Sequence, residues 1–137
     1  MDNYMEVKFP AISENEALAR LVVSAFVIKL DPETETLADI KTAVSEAVTN
    51  AIIHGYNEKG GEICLRLIRE GRTVYIEIED KGCGIEDIRK AMEPMFTTKA
   101  DEERTGLGFT VMESFMDEVK VESIKGFGTV VKLKKLV

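Results

Sequence analysis

No G-x-x-x-x-G-K-[ST] stretch occurs in these 137 residues, so a nucleotide held here is not held by a P-loop. A run of about 18 apolar residues is also missing, which excludes a helical membrane span. The N-terminus, Met1-Asp2-Asn3-Tyr4, has no basic region leading into an apolar stretch and does not read as a secretory signal. Cysteine is scarce: Cys64 and Cys83 are not spaced as a zinc ligand set and read as two reduced thiols of a cytosolic protein. Histidine is scarcer, with His54 alone. Positive charge is in deficit. The formal net charge of −7 disfavours direct binding of nucleic acid, whose phosphates repel an acidic surface. Lys132, Lys134 and Lys135 form a small basic cluster that reads as a solvated strand end. A protein partner with a basic face suits the rest of the surface.

What is present is a chain that can build a core. Hydrophobic residues make up 45%, and the length fits one domain over 1–137. Alternation of Met5, Val7 and Phe9 predicts an opening strand over 4–9. Ser13 and Glu16 have the spacing of a capping box. Leu18, Leu21, Val22, Ala25 and Phe26 follow at helical spacing, to about residue 30, where Asp31-Pro32 breaks the helix. A second helix is expected from about residue 36 to 54, with Leu37, Ile40, Val44, Ala47, Val48 and Ala51 as its buried stripe and Gly55 as its stop. Ile63-Leu65-Leu67 and Val74-Ile76-Ile78 alternate on either side of Glu70-Gly71-Arg72, which predicts a hairpin. A short helix over 85–92, a mobile polar loop over 96–104 and a helix carrying Leu107, Val111, Met112, Phe115 and Met116 come next. Val119-Val121 and Val130-Leu133 close the chain as a strand pair. The expected fold is a two-layer α/β sandwich, its mixed sheet mostly antiparallel and its helices on one face.

Three segments carry the chemistry. Glu46 and Asn50 lie four apart on the second helix, so they point the same way, at the edge of the apolar stripe. An Asn oxygen suits Mg²⁺, which takes few protein ligands. A Glu can take a proton from a nearby hydroxyl or water. Asp80 follows a strand and precedes Gly82 and Gly84. A carboxylate there can accept from the exocyclic amine of adenine, and residues without Cβ let a flat base approach. Gly106 and Gly108 sit between the polar loop and a helix, where backbone amides favour an anion, with Lys99 and Arg104 nearby. Each segment also has a plain structural reading: a polar helix flank, a tight turn, a hinge beside solvated charges. His54 continues the first edge one turn on and reads as a structural residue that suits the helix C-terminus.

The order Glu46-x-x-x-Asn50, Asp80-x-Gly82-x-Gly84, Gly106-x-Gly108 resembles the ATP-binding superfamily shared by type II topoisomerases, heat-shock protein 90, sensor histidine kinases and MutL. Phe96-Thr97-Thr98-Lys99 ahead of Thr105-Gly106-Leu107-Gly108 looks most like the kinase branch, and Gly128-Thr129 matches a minor fourth motif. The stretch Ser45-Glu46-Ala47-Val48-Thr49-Asn50-Ala51-Ile52-Ile53-His54-Gly55-Tyr56 is similar to that of stand-alone serine kinases that double as anti-sigma factors, those of sporulation above all. A phospho-acceptor helix pair, as in sensor kinases, is not expected ahead of the first helix.

That resemblance implies a Bergerat-type fold and a homodimer. It implies a protein that holds a sigma factor when ATP is bound and phosphorylates a serine of an anti-anti-sigma factor, leaving ADP. It implies Asp80 on adenine with Gly82 and Gly84 beside it, Mg²⁺ on Asn50, and Glu46 as general base. Thr97, Thr98 and Lys99 would belong to a lid, with Arg104 near the phosphates. Thr105, Gly106, Leu107, Gly108 and Phe109 would wrap the phosphate tail, with Thr129 completing the pocket. Arg20 would contact protein partners; its plain reading is a surface ion pair with Glu16. An anti-sigma kinase of the stress response, an ATPase module of the chaperone or topoisomerase kind, a binding protein that only holds ATP, and a sandwich domain that binds no nucleotide remain the rivals.

Overall fold

The computed structural model describes residues 2–57, 59–85 and 108–137. Most of the helix expected over 85–92, the polar stretch 96–104 with Thr97, Thr98, Lys99 and Arg104, and Thr105, Gly106 and Leu107 lie outside the described residues. The described chain runs β1 (Asn3–Pro10), α1 (Glu14–Val27), a 3-10 turn (Ile28–Leu30), α2 (Thr34–Asn50), a π-helical turn (Ala51–Gly55), β2 (Glu62–Glu70), β3 (Thr73–Asp80), α3 (Phe109–Phe115), β4 (Glu118–Ile124) and β5 (Gly128–Leu136). The five strands form one sheet in the order β1-β2-β3-β5-β4. Every pairing among them is antiparallel.

The period-2 pattern of the strands becomes continuous rows across the sheet. One row is Met5-Leu67-Ile76-Leu133-Val119, and the next is Val7-Leu65-Ile78-Val131-Val121. The central members of both rows are almost fully buried. They pack in one core with Ile40, Ala43, Val44, Ala47 and Val48 of α2, Ala19, Val23, Phe26 and Val27 of α1, and Phe109 and Met112 of α3. Each such aliphatic side chain contributes about 1.5–3 kcal/mol on burial. The opposite face of the sheet is polar: Arg66 pairs with Glu77 at 3.1 Å and with Glu79 at 2.9 Å. The third row is different. It reads Phe9-Ile63-Asp80-Thr129-Ser123. Asp80 and Thr129 are the buried polar residues among those described, and they share the face of the hydrocarbon rows.

Two local expectations change. The capping box does not form: Ser13 has helical backbone angles and makes no side-chain cap. Glu16 instead turns across to α2, where its carboxylate accepts from the Ser45 hydroxyl and pairs with Arg20. The reach between helices competes with the local cap. The inner face of α1 is also rotated from the spacing read in sequence. Ala19, Val23 and Val27 face the core, while Leu18 is 51% and Leu21 64% exposed. Phe26 completes the inner face, and Leu18 and Leu21 lie outside it. Leu67→Ala should therefore lower stability in urea denaturation by about 2–5 kcal/mol, whereas Leu21→Ala should change it by about 0.5 kcal/mol or less. Equal losses would contradict this orientation of α1.

Candidate functional site

Helix α2 does not simply stop. At Ala51 it widens into the π-helical turn, closed by the Tyr56 N–H donating to the Ala51 carbonyl at 3.0 Å. Such a turn adds a residue and redirects the chain. Here it carries His54 and Gly55 against the end of β3. Gly55 is thus not a left-handed stop; Asn57, with φ of 52°, takes that conformation. A Cβ on Gly55 would stand 2.8 Å from the Asp80 carboxylate. Glycine is the residue that lets the two elements close on one another.

Between the π-helical turn and the sheet lies a cleft of about 30 Å³ enclosed, or about 360 Å³ counting its open mouth. Ala47, Ala51, Ile78 and Val131 give it apolar walls, and Phe109 is part of its lining. Its polar groups are Asn50, His54, Asp80 and Thr129. The third sheet row therefore opens into this cleft.

Asp80 is 7% exposed. Burial holds its carboxyl above the usual range, while the backbone N–H groups of Gly82 and Thr129 pull the other way. The Gly82 N–H donates to Oδ1 at 2.9 Å. Thr129 is held in turn: its hydroxyl lies 2.8 Å from that of Ser123, which also donates to the Gly128 carbonyl and accepts from the Ile85 N–H at 2.7 Å. A buried carboxylate with apolar walls on either side suits a flat, amine-bearing heterocycle.

The glycines after Asp80 serve the backbone as much as any ligand. The space a Cβ would fill at Gly82 holds the Gly55 carbonyl, and that at Gly84 (φ 74°) holds the Ile124 carbonyl. The Cys83 N–H donates to the Gly55 carbonyl at 2.8 Å. The turn is thus gripped by the π-helical turn on one side and the β4–β5 hairpin on the other. Gly84 lines the cleft; Gly82 lies behind it.

Glu46 stands four residues before Asn50 on α2, beyond the cleft lining. A Cβ on Gly108 (φ 64°) would meet its Oε2, so the start of α3 lies directly over this carboxylate. Burial first, then the charge of Glu16, raises its pKa above 4.5. Burial lowers the pKa of His54. Phe109, read as a neighbour of the phosphates, puts its side chain in the core and is 1% exposed. Arg20 is not at the cleft. It is half-buried on α1, its Nε 3.0 Å from Glu16 Oε1 in an ion-pair contact without hydrogen-bond alignment and its guanidinium donating to Oε2 at 3.3 Å. Glu16 and Ser45 link it to the neighbourhood of Glu46, a tie the capping-box reading concealed.

No group of three or more His, Cys, Asp and Glu side chains assembles among the described residues. The protein would give Mg²⁺ one neutral oxygen, from Asn50, and leave the other positions to phosphates and water. That is how Mg²⁺ is ordinarily held, so the residues fit. No described helix is long and apolar enough to cross a membrane.

A helical layer thus packs on an antiparallel sheet, with a cleft at the sheet's end that holds the buried carboxylate of Asp80. The chain belongs to the histidine kinase-like ATPase domain family, whose model matches residues 9–135. Within it the chain groups with anti-sigma F factors. It is 57% identical to that of Clostridium acetobutylicum over 98% of this chain and 94% of the relative, and 55% identical to that of Geobacillus stearothermophilus over 98% and 93%. The fold matches a solved structure of the RsbU and RsbW domains of Rv1364c from Mycobacterium tuberculosis with a TM-score of 0.67, at 17% identity, over 97% of this chain and 31% of that one. It matches the nucleotide-free catalytic domain of the histidine kinase ThkA with a TM-score of 0.58, at 19% identity, over 96% and 95%. The chain thus has the fold of a kinase-type ATPase domain.

Because folding raises the Glu46 pKa, its contribution to stability is complete below 4.5 and is lost as pH rises through the folded value. Glu46→Gln should melt at a higher temperature than the parent at about pH 7 and at the same temperature near pH 4. A pH-independent difference would contradict the raised pKa.

Proposed function

We propose that this chain is an anti-sigma factor and protein serine kinase. In its ATP-bound form it holds the sporulation sigma factor, sigma F, away from transcription. With ATP and Mg²⁺ it phosphorylates a serine of the matching anti-anti-sigma factor. It works as a homodimer in the cytoplasm. The observation that carries this is the buried Asp80 carboxylate in an apolar cleft, in a chain 57% identical to an anti-sigma F factor.

Asp80 accepts from the exocyclic amine of adenine, and guanine, with an oxygen at that position, is repelled. Asn50 gives Mg²⁺ a side-chain oxygen; the bound ion supplies positive charge to the phosphates. The serine oxygen bonds the γ-phosphorus as the bond to the ADP oxygen breaks, and Glu46 receives the serine proton. A carboxylate raised in pKa by burial is a better proton acceptor near neutral pH than an exposed one. Phosphoryl transfer needs mainly positioning and charge neutralisation, a part that Gly108 with residues 104–107 would share. Arg20 would contact the protein partners, and Thr97, Thr98 and Lys99 would belong to a lid that reports the γ-phosphate to them.

Incubation with Mg·ATP and the serine-bearing partner tests the reading: phosphoprotein supports it, while free phosphate alone, or no turnover, contradicts it. Glu46→Gln should keep ATP binding and slow transfer by roughly 10²–10⁴-fold in single turnover. Asp80→Asn should weaken ATP affinity itself, with the fold retained. Sigma factor should bind more tightly to the ATP form than to the ADP form; equal dissociation constants would remove the switch.

A further inference from the structure

The β2–β3 ladder ends at the pair Ile63–Asp80. The next rung would join Glu62 to Lys81, and it is not made directly. The Tyr56 hydroxyl stands in it: the Lys81 N–H donates to Tyr56 Oη at 2.7 Å, and Oη–H donates to the Glu62 carbonyl at 2.6 Å. The hydroxyl is therefore used once as acceptor and once as donor. The Tyr56 ring fills the space where Gly61 carries no Cβ. Tyr56 is itself fixed by its own N–H, which closes the π-helical turn.

One residue thus joins three things: the exit of the π-helical turn, the start of β2 and the residue after Asp80. Spreading the strands by the width of an oxygen sets the direction in which the chain leaves Asp80. From there Gly82 returns its N–H to Oδ1, and the Cys83 N–H reaches the Gly55 carbonyl. The direction of the Asp80 carboxylate follows from those ties.

We infer that Tyr56 is a positioning residue for base selection, its hydroxyl bridge between Lys81 and Glu62 aiming the Asp80 carboxylate at the exocyclic amine. This rests on the reading of Asp80 as the adenine acceptor. Tyr56 is not among the residues that line the cleft, so no direct contact with the base is assigned to it. Its effect is confined to ligands whose affinity depends on that carboxylate.

The test compares Mg·ATP with the Mg²⁺ complex of purine riboside triphosphate, which lacks the six-amino group, by titration against the parent chain and Tyr56→Phe. Phenylalanine keeps the ring against Gly61 and removes only the bridge. The parent should prefer ATP by about tenfold or more, the usual scale of a hydrogen bond to a charged group. Tyr56→Phe should lose most of that preference through weaker ATP binding, with affinity for the analogue changed by less than about twofold. In an Asp80→Asn background the same change should not weaken ATP binding further. A preference retained in Tyr56→Phe, or equal loss for both ligands, overturns the inference and leaves the Asp80 reading standing. A parent that does not discriminate between the ligands overturns the Asp80 reading and the inference with it.

Discussion

The structure depends on one placement: a carboxylate set into the hydrocarbon face of a sheet. Two rows of that face are aliphatic from edge to edge, and the third breaks at Asp80 and Thr129. An ionised group in that position loses hydration, and its carboxyl rises above the ordinary range. Structural advantage alone does not favour such a residue, since an aliphatic side chain in the same row would continue the core. The surroundings moderate the cost without cancelling it. The Gly82 N–H and the Ser123–Thr129 hydroxyl pair supply polar neighbours, and Gly55 and Gly128 give room for close approach. A polar break in an otherwise dry layer is a place where a ligand's own hydrogen bonds gain most.

The same end of the molecule gathers the elements that could act on such a ligand. Helix α2 brings Glu46 and Asn50 along one edge, and its widening into a π-helical turn lays His54 and Gly55 against β3. The start of α3, through Gly108, covers Glu46. Arg20 stands apart from the cleft yet is tied through Glu16 to Ser45, the neighbour of Glu46. A short polar chain, Arg20–Glu16–Ser45, therefore joins the outer side of α1 to the neighbourhood of Glu46. Leu18 and Leu21 lie on the same helix as Arg20, outside the core.

Much of this was legible in the sequence. Strand alternation gave both the hairpin and its inner face, because a period of two leaves little choice of side. The stripe of α2 was read correctly from Ile40 to Ala51, since Ile40, Val44, Ala47, Val48 and Ala51 recur at helical spacing and are all buried. Helix α1 was harder. Phe26 of the expected stripe is buried, but Leu18 and Leu21 recur at helical spacing on the exposed side, and Ala19, Val23 and Val27 complete the buried one, so spacing alone places the stripe only in part. The capping box failed for a related reason, as the Glu16 side chain finds a partner 29 residues away. In the site, Asp80, Gly84, Asn50 and Thr129 come together as their motifs suggested. What the sequence could not show is why Gly55 and Gly82 are glycines, because each makes room for a segment distant along the chain. Tyr56 carried no signal either: a bridge across the end of a ladder has no local pattern.

The central claim is that the break in the third sheet row, together with the edge of α2 and the start of α3, is where Mg·ATP binds. Backbone amide chemical shifts of the labelled chain, followed as Mg·ATP is added, test it most directly. The account predicts saturable shifts concentrated in residues 46–55, 80–85, 108–109 and 128–131, with Tyr75, Lys132 and Lys134 on the opposite sheet face unmoved. Shifts centred on that opposite face, or no saturable shifts at all, would contradict it.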